Sequence, residues 1–245
     1  MKSSRGNAVV VGVFFILAAV AAIAALALYQ PVLGDPEYVL GAGADTQVLL
    51  GGFLEVVLAV SCIGTAVTIY PVIRRHAPSA ALGYVAGRLL EAAVICVGIV
   101  ATLAVVTLRQ DRAAGVEGTA DDGALVAVAH GLVAVHDWTF LVGPGLVIGL
   151  NSLVLAAVVH RAHLVPRAIT VLGLVGGPLV LASSTLVLLG FYEQVSPVAM
   201  AAAIPVTAWE MSLAVYLIVK GYRTPPQPSG PTAVTASPRP VTLPA

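Results

Sequence analysis

The sequence predicts an all-α polytopic membrane protein, a bundle of six transmembrane helices, and three observations carry that prediction. Of 245 residues, 59% are hydrophobic and 10% charged, with a mean hydropathy of +0.99; a soluble domain carries about 25% charged residues. Six apolar runs each approach or exceed the roughly 20 residues that a bilayer span requires. Basic residues also alternate from loop to loop, as they do around membrane spans.

A short basic leader, Met1 to Asn7, precedes the uncharged run Ala8–Tyr29. The apolar core of a secretory signal is only about 7–15 residues long. This run has 22, so it is expected to be a first span rather than a cleaved leader. Residues 30–46 form a loop with Pro31, Gly34 and Pro36, three acids (Asp35, Glu37, Asp45) and no base. The second span, 47–73, contains Glu55 and closes on Arg74, Arg75 and His76, with the turn at Pro78. The third, 80–108, carries Arg88 and Glu91 well inside its ends. A mixed loop with two Arg and four acids covers 109–122.

From Gly123 to His160 the chain stays largely apolar, and one straight helix of that length would measure roughly 55 Å. A break or a protruding segment is therefore expected, with the fourth span at 138–159 and Trp138 at the membrane interface. His160, Arg161, His163 and Arg167 follow and read as headgroup-facing charge. The fifth span is placed at 168–192 and the sixth at 197–219. Residues 224–245 are rich in Pro, Ser and Thr and are expected to be a disordered tail. Cys62 and Cys96 lie in apolar runs and read as small buried hydrophobes with no disulfide framework.

Twelve basic and 12 acidic residues cancel, so no basic field points to nucleic acid as a partner. The bias between loops is informative instead. The N-terminus, the 74–76 loop, the 160–167 loop and the C-terminus hold nine Lys/Arg and no acid, whereas the other three loops hold two Arg and eight acids. Both termini are expected to be cytoplasmic in a multi-pass protein of the plasma membrane.

Within or at the rims of the spans stand Glu55, Arg88, Glu91, Asp137 and Glu210. A full charge near the bilayer centre costs about 2.5–3.5 kcal/mol on insertion scales, so such residues face protein, water or a ligand. On a helix Tyr84, Arg88, Glu91 and Ile95 share one face through i,i+3 and i,i+4 spacing. Counting 1.5 Å per residue from the spans' ends places Arg88 and Glu210 at one level. Glu91 comes next, then Glu55, then Asp137 near the outer face. Four carboxylates against one arginine cannot all be neutralised by pairing. Arg88 with Glu210 or Glu91 is one reading, a packing device between spans three and six; an ion, proton or ligand site is the other. Pro144, Pro178 and Pro205 fall near mid-membrane in three successive spans and could open a cavity beside the charged stripe. Gly145–Gly149 and Gly173–Gly177 are small-xxx-small pairs that would let spans four and five approach closely.

No HExxH, G-x-S-x-G or GxxxxGK[ST] signature occurs, and no cofactor is expected. His130, His136 and Asp137 with Glu55 make a conceivable N/O metal set at the outer rim, against the plainer reading of hydrogen-bonding interfacial residues.

The runs GYVAGRLLEAAVICVG, HDWTFLVGPGLVIGLNSLVL, LVPRAITVLGLVGGPL and AWEMSLAVYLIVKGY together resemble the bacterial domain-of-unknown-function 4386 family, from Ala8 to Tyr222. The matching positions are Arg88, Glu91, His136, Asp137, Pro144, Asn151, Pro166, Arg167 and Glu210. The resemblance implies a multi-pass membrane architecture and brings no activity. The site residues expected from the chain itself are Arg88, Glu91 and Glu210, extended outward by Glu55, His136 and Asp137. The reading is a protein that binds or passes a small polar solute, ion or lipid headgroup, without intrinsic catalysis. The alternatives are a metal-assisted intramembrane hydrolase and a structural or accessory subunit. Six helices are few for a lone secondary transporter and no inverted repeat is visible, so a homo-oligomer is a further expectation.

Overall fold

A computed structural model describes residues 2–35, 37–41, 43–116 and 121–223, with side chains from Arg5 onward; the expected tail lies outside the described residues. The helices are α1 (Lys2–Leu28), α2 (Gln30–Gly34), α3 (Asp45–Ile73), α4 (Pro78–Ala113), α5 (Asp122–Phe140), α6 (Ile148–Arg161), α7 (Arg167–Leu188) and α8 (Pro197–Val219). A 3-10 turn, Tyr38–Leu40, follows α2, and a π-helical segment, Leu141–Val147, joins α5 to α6 without a break. Six helical stretches are long and apolar enough to cross a membrane, with α5, the π segment and α6 counting as one.

The fourth span continues without a break into a segment that prolongs it, the second of the two expectations. Asp122–Arg161 is one helical rod of 40 residues, and its length is taken up at the end away from the termini. The 36-residue α4 is also longer than a span requires, and it packs along α5. The irregularity falls at Pro144, which has no N–H to give and whose ring crowds the carbonyl four residues back. Widening the turn to i→i+5 relieves that crowding without ending the helix. The fifth span also ends earlier than expected, at Leu188. Gly190, with φ +78°, turns the chain there, and Tyr192 Oη folds back to donate to Ser183 Oγ at 2.8 Å.

Each spanning helix packs on its sequence neighbour, and α8 closes the ring on α1. α4 also leans on α6 and the π segment, which places its polar face inside. Tyr84, Arg88, Glu91, Ala92 and Ile95 are buried, while Leu82, Leu89, Leu90, Val97 and Val100 face outward. In lipid, apolar burial does not drive helices together, so close packing must. Gly149 and Gly177 provide it: a Cβ on either would stand 2.8–2.9 Å from the other's carbonyl oxygen, so α6 and α7 meet backbone to backbone. Cys62 is buried as expected, but Cys96 is exposed on the outer face of α4.

The first and last described residues lie at one end, the terminal end. Tyr222 Oη donates to Asn7 Oδ1 at 3.2 Å, and the Arg223 N–H donates to the Leu164 carbonyl at 2.8 Å. His160 turns inward there, its Nδ1 2.7 Å from Thr170 Oγ1, instead of facing headgroups. The far end carries a cap. Val32, Tyr38 and Val39 from α2 and the 3-10 turn are buried against Val48, Val105, Val106, Leu125 and Ala129. Asp45 anchors the cap, accepting from Arg109 Nη1 at 2.7 Å and from Tyr38 Oη at 2.8 Å. Burial first, then the bond to Asp45, pushes the Tyr38 hydroxyl above its ordinary range and keeps it a donor. Arg112 adds a bond to the Leu40 carbonyl at 3.1 Å.

Candidate functional site

Arg88 sits at the centre of the bundle with every part of its guanidinium engaged. Nη1 lies 3.2 Å from both carboxylate oxygens of Glu91, one turn along α4, and Nη2 lies 2.8 Å from Glu210 Oε1 on α8. Nε donates to Tyr84 Oη at 3.1 Å, and the Phe15 ring stacks 5.4 Å away. Depth counting along the chain placed Arg88 and Glu210 at one level, and the structure joins them. It adds a second partner: Arg88 bridges Glu91 and Glu210 together. Asn151 Nδ2 donates to Glu91 Oε2 at 2.9 Å, so Glu91 is held from α6 as well.

A second polar group lies further from the termini. Glu55 on α3 accepts from Tyr29 Oη at 3.0 Å and stands 3.7 Å from His136 Nε2. The Tyr29 and His136 rings meet edge to face at 5.4 Å. His136 Nδ1 points to Asp137 Oδ1 at 3.5 Å, too long for a good hydrogen bond, and is left without a partner.

Both groups line one cavity of about 150 Å³. Its charged and polar walls are Glu55, Arg88, Glu91, His136 and Glu210, with Tyr29 and Cys62 between them. Pro144 is part of the wall, at the π segment. Asp137 is the one expected member that stays outside: its side chain is 61% exposed, facing a surface groove with Asp35, Tyr38 and His130. Neighbouring helical residues diverge by about 100°, so His136 and Asp137 cannot both face the interior.

Of the four residues of the conceivable metal set, Glu55 and His136 come together, whereas Asp137 faces outward. His130 is exposed on another side of α5, and among the described residues no three His, Cys, Asp or Glu side chains gather as a metal-binding group.

Sequence reasoning missed Tyr29 and Asn151 as members of the site. Tyr29 stands at the end of the predicted first span, and Asn151, named only as a matching position of the family, carries no charge, yet each binds a buried carboxylate. A polar side chain inside an apolar run was the available signal for Asn151.

A family model described as a domain of unknown function, DUF4386, matches residues 10–221. The chain belongs to that family. The match takes in every cavity-lining residue named above and ends just beyond α8. No curated protein and no solved structure matches this DUF4386 chain.

Proposed function

We propose that this DUF4386 protein binds a small cation, or a solute with a cationic head, in the cavity at the centre of its bundle. One observation carries the reading: five ionisable side chains from α3, α4, α5 and α8 line a single cavity, with carboxylates in excess. Arg88 is spent on Glu91, Glu210 and Tyr84, so it has little left to offer an anion. Three carboxylates face one arginine and one histidine. Even with His136 counted as a cation, one negative charge remains for a ligand or a proton to balance. A cavity of about 150 Å³ resembles in size those that admit a benzene ring, which suits a head of about five or six heavy atoms.

The test is equilibrium binding of tetramethylammonium to the full-length protein in lipid nanodiscs. One-to-one binding is expected, weakened at least tenfold, about 1.4 kcal/mol, in Glu55→Gln. Absence of binding, or equal binding by Glu55→Gln, would overturn the reading.

The same reading places both termini in the cytoplasm of a cell with this protein in its plasma membrane, supported by the nine Lys/Arg on the terminal side. Reporters fused after Thr46 should be external and those after His76 internal. The reverse pattern would reject the orientation.

A further inference from the structure

We infer that the occupant is an amphiphile, a compact cationic head on a hydrocarbon tail, which enters sideways from the bilayer; this rests on the cation-binding reading above. The argument comes from what closes the cavity at its two ends and what leaves its side open.

The end away from the termini is shut by the cap. α2 and the 3-10 turn cover α4 and α5 and are tied down by Asp45, Arg109 and Arg112. The terminal end is shut by a tight core in which Phe15, Ile69, Ile73, Tyr84, Trp209 and Leu213 are each less than 2% exposed. The groove beside the cap, with Asp35, Tyr38, His130 and Asp137, shares no lining residue with the central cavity.

The side wall differs. α1 takes its packing from α3 and α8. Its contact with α8 lies in the terminal half, where Gly12 abuts Ala214 and Ile218, and Ala8, Val11 and Phe15 share a core with Trp209, Leu213 and Leu217. Beyond Phe15, the buried residues of α1 are Ala21, which packs with α3 and α4, and Ala25. The cavity-facing residues of that half, Ala18, Ala19, Ala22 and Leu26, are half-exposed or exposed. The opposite rim, Thr139, Phe140, Pro144 and Ile148, is half-exposed as well.

The lining therefore divides in two. Its charged residues are deep, with Glu55, Arg88, Glu91 and His136 at most 8% exposed, and its mouth is apolar at the level of the hydrocarbon. Small alanines on one rim leave room for a chain to pass. Such a polarity gradient fits a head held inside by carboxylates while its tail remains in lipid.

The test uses the full-length protein in nanodiscs and the series tetramethylammonium, butyl-, octyl- and dodecyltrimethylammonium. Saturable binding above that of protein-free discs is measured against free aqueous concentration. If the tail lies in lipid, affinity should rise roughly tenfold for each two methylenes added. Ala22→Phe, which narrows the mouth, should weaken octyl and dodecyl binding at least tenfold more than it weakens tetramethylammonium binding. Val20→Phe, on the lipid-facing side of the same helix, should change neither. Affinity independent of tail length would overturn the amphiphile inference and leave the cation site standing. Failure of every probe would remove both. Tail-dependent binding unaffected by Ala22→Phe and Glu55→Gln would place the probes at the protein's outer surface and overturn the inference.

Discussion

Arg88→Leu is expected to be the most destabilising single substitution in the molecule. It strands two carboxylates, and the side chain of Glu91 is only 3% exposed. Removing one partner of a buried ion pair costs roughly 3–5 kcal/mol, because the remaining charge has no solvent to return to. Glu210→Gln should cost less, about 1.5–3 kcal/mol, since Arg88 keeps Glu91 and a glutamine can still accept a hydrogen bond. The pairing pattern also determines which combination rescues. Arg88→Leu with Glu210→Leu leaves the buried Glu91 without a cation, with only Asn151 and the Cys62 thiol as donors, so recovery should be partial. The triple change Arg88→Leu, Glu91→Gln and Glu210→Leu should recover most of the loss. Unfolding from mixed micelles by increasing detergent denaturant measures all four proteins. A triple variant no more stable than Arg88→Leu would show that the charges are not what Arg88 serves.

The second large effect is expected at Gly177. A Cβ there would meet Gly149 O at 2.8 Å and the Leu153 N–H group at 2.9 Å, and neither is a flexible side chain that can swing aside. α6 and α7 must then separate. Overpacking of this kind costs typically about 1–3 kcal/mol, so Gly177→Ala should fall in that range and Gly177→Val should exceed it. Moving α6 also draws Asn151 away from Glu91, so the variant should lose cation affinity along with stability. Gly177→Ala with the unfolding midpoint of the parent would show that the two backbones have room to spare.

The number of spans and the central charges were legible because each leaves a one-dimensional mark. An apolar run has a length, and Arg88, Glu91 and Glu210 interrupt such runs at countable depths. Depth, however, says nothing about azimuth. It could not show that Glu55 on α3 faces His136 on α5, or that Tyr29 reaches the same carboxylate. It grouped Asp137 with His136 because they are adjacent, and adjacency on a helix means divergence. The choice between a break and a protruding segment in the fourth span was illegible for a different reason. A limit set by hydrocarbon thickness assumes that nothing lies beyond it, but the cap gives α4 and α5 protein to pack on outside the membrane. The cap is built from short elements around Val32, Tyr38 and Val39, which carry no long periodic pattern to detect.

The π segment Leu141–Val147 sets a rule for insertions and deletions in this chain. Such a segment behaves as an α-helix with one residue too many. Deleting Pro144 itself would let the ordinary i→i+4 ladder close through α5 and α6. The rod itself would become more regular, yet everything beyond would rotate by about 100°. Gly149 would turn from Gly177, and Asn151 from Glu91. The isolated helix and the assembled bundle therefore want different chain lengths at this point, and the length present is the one that favours assembly.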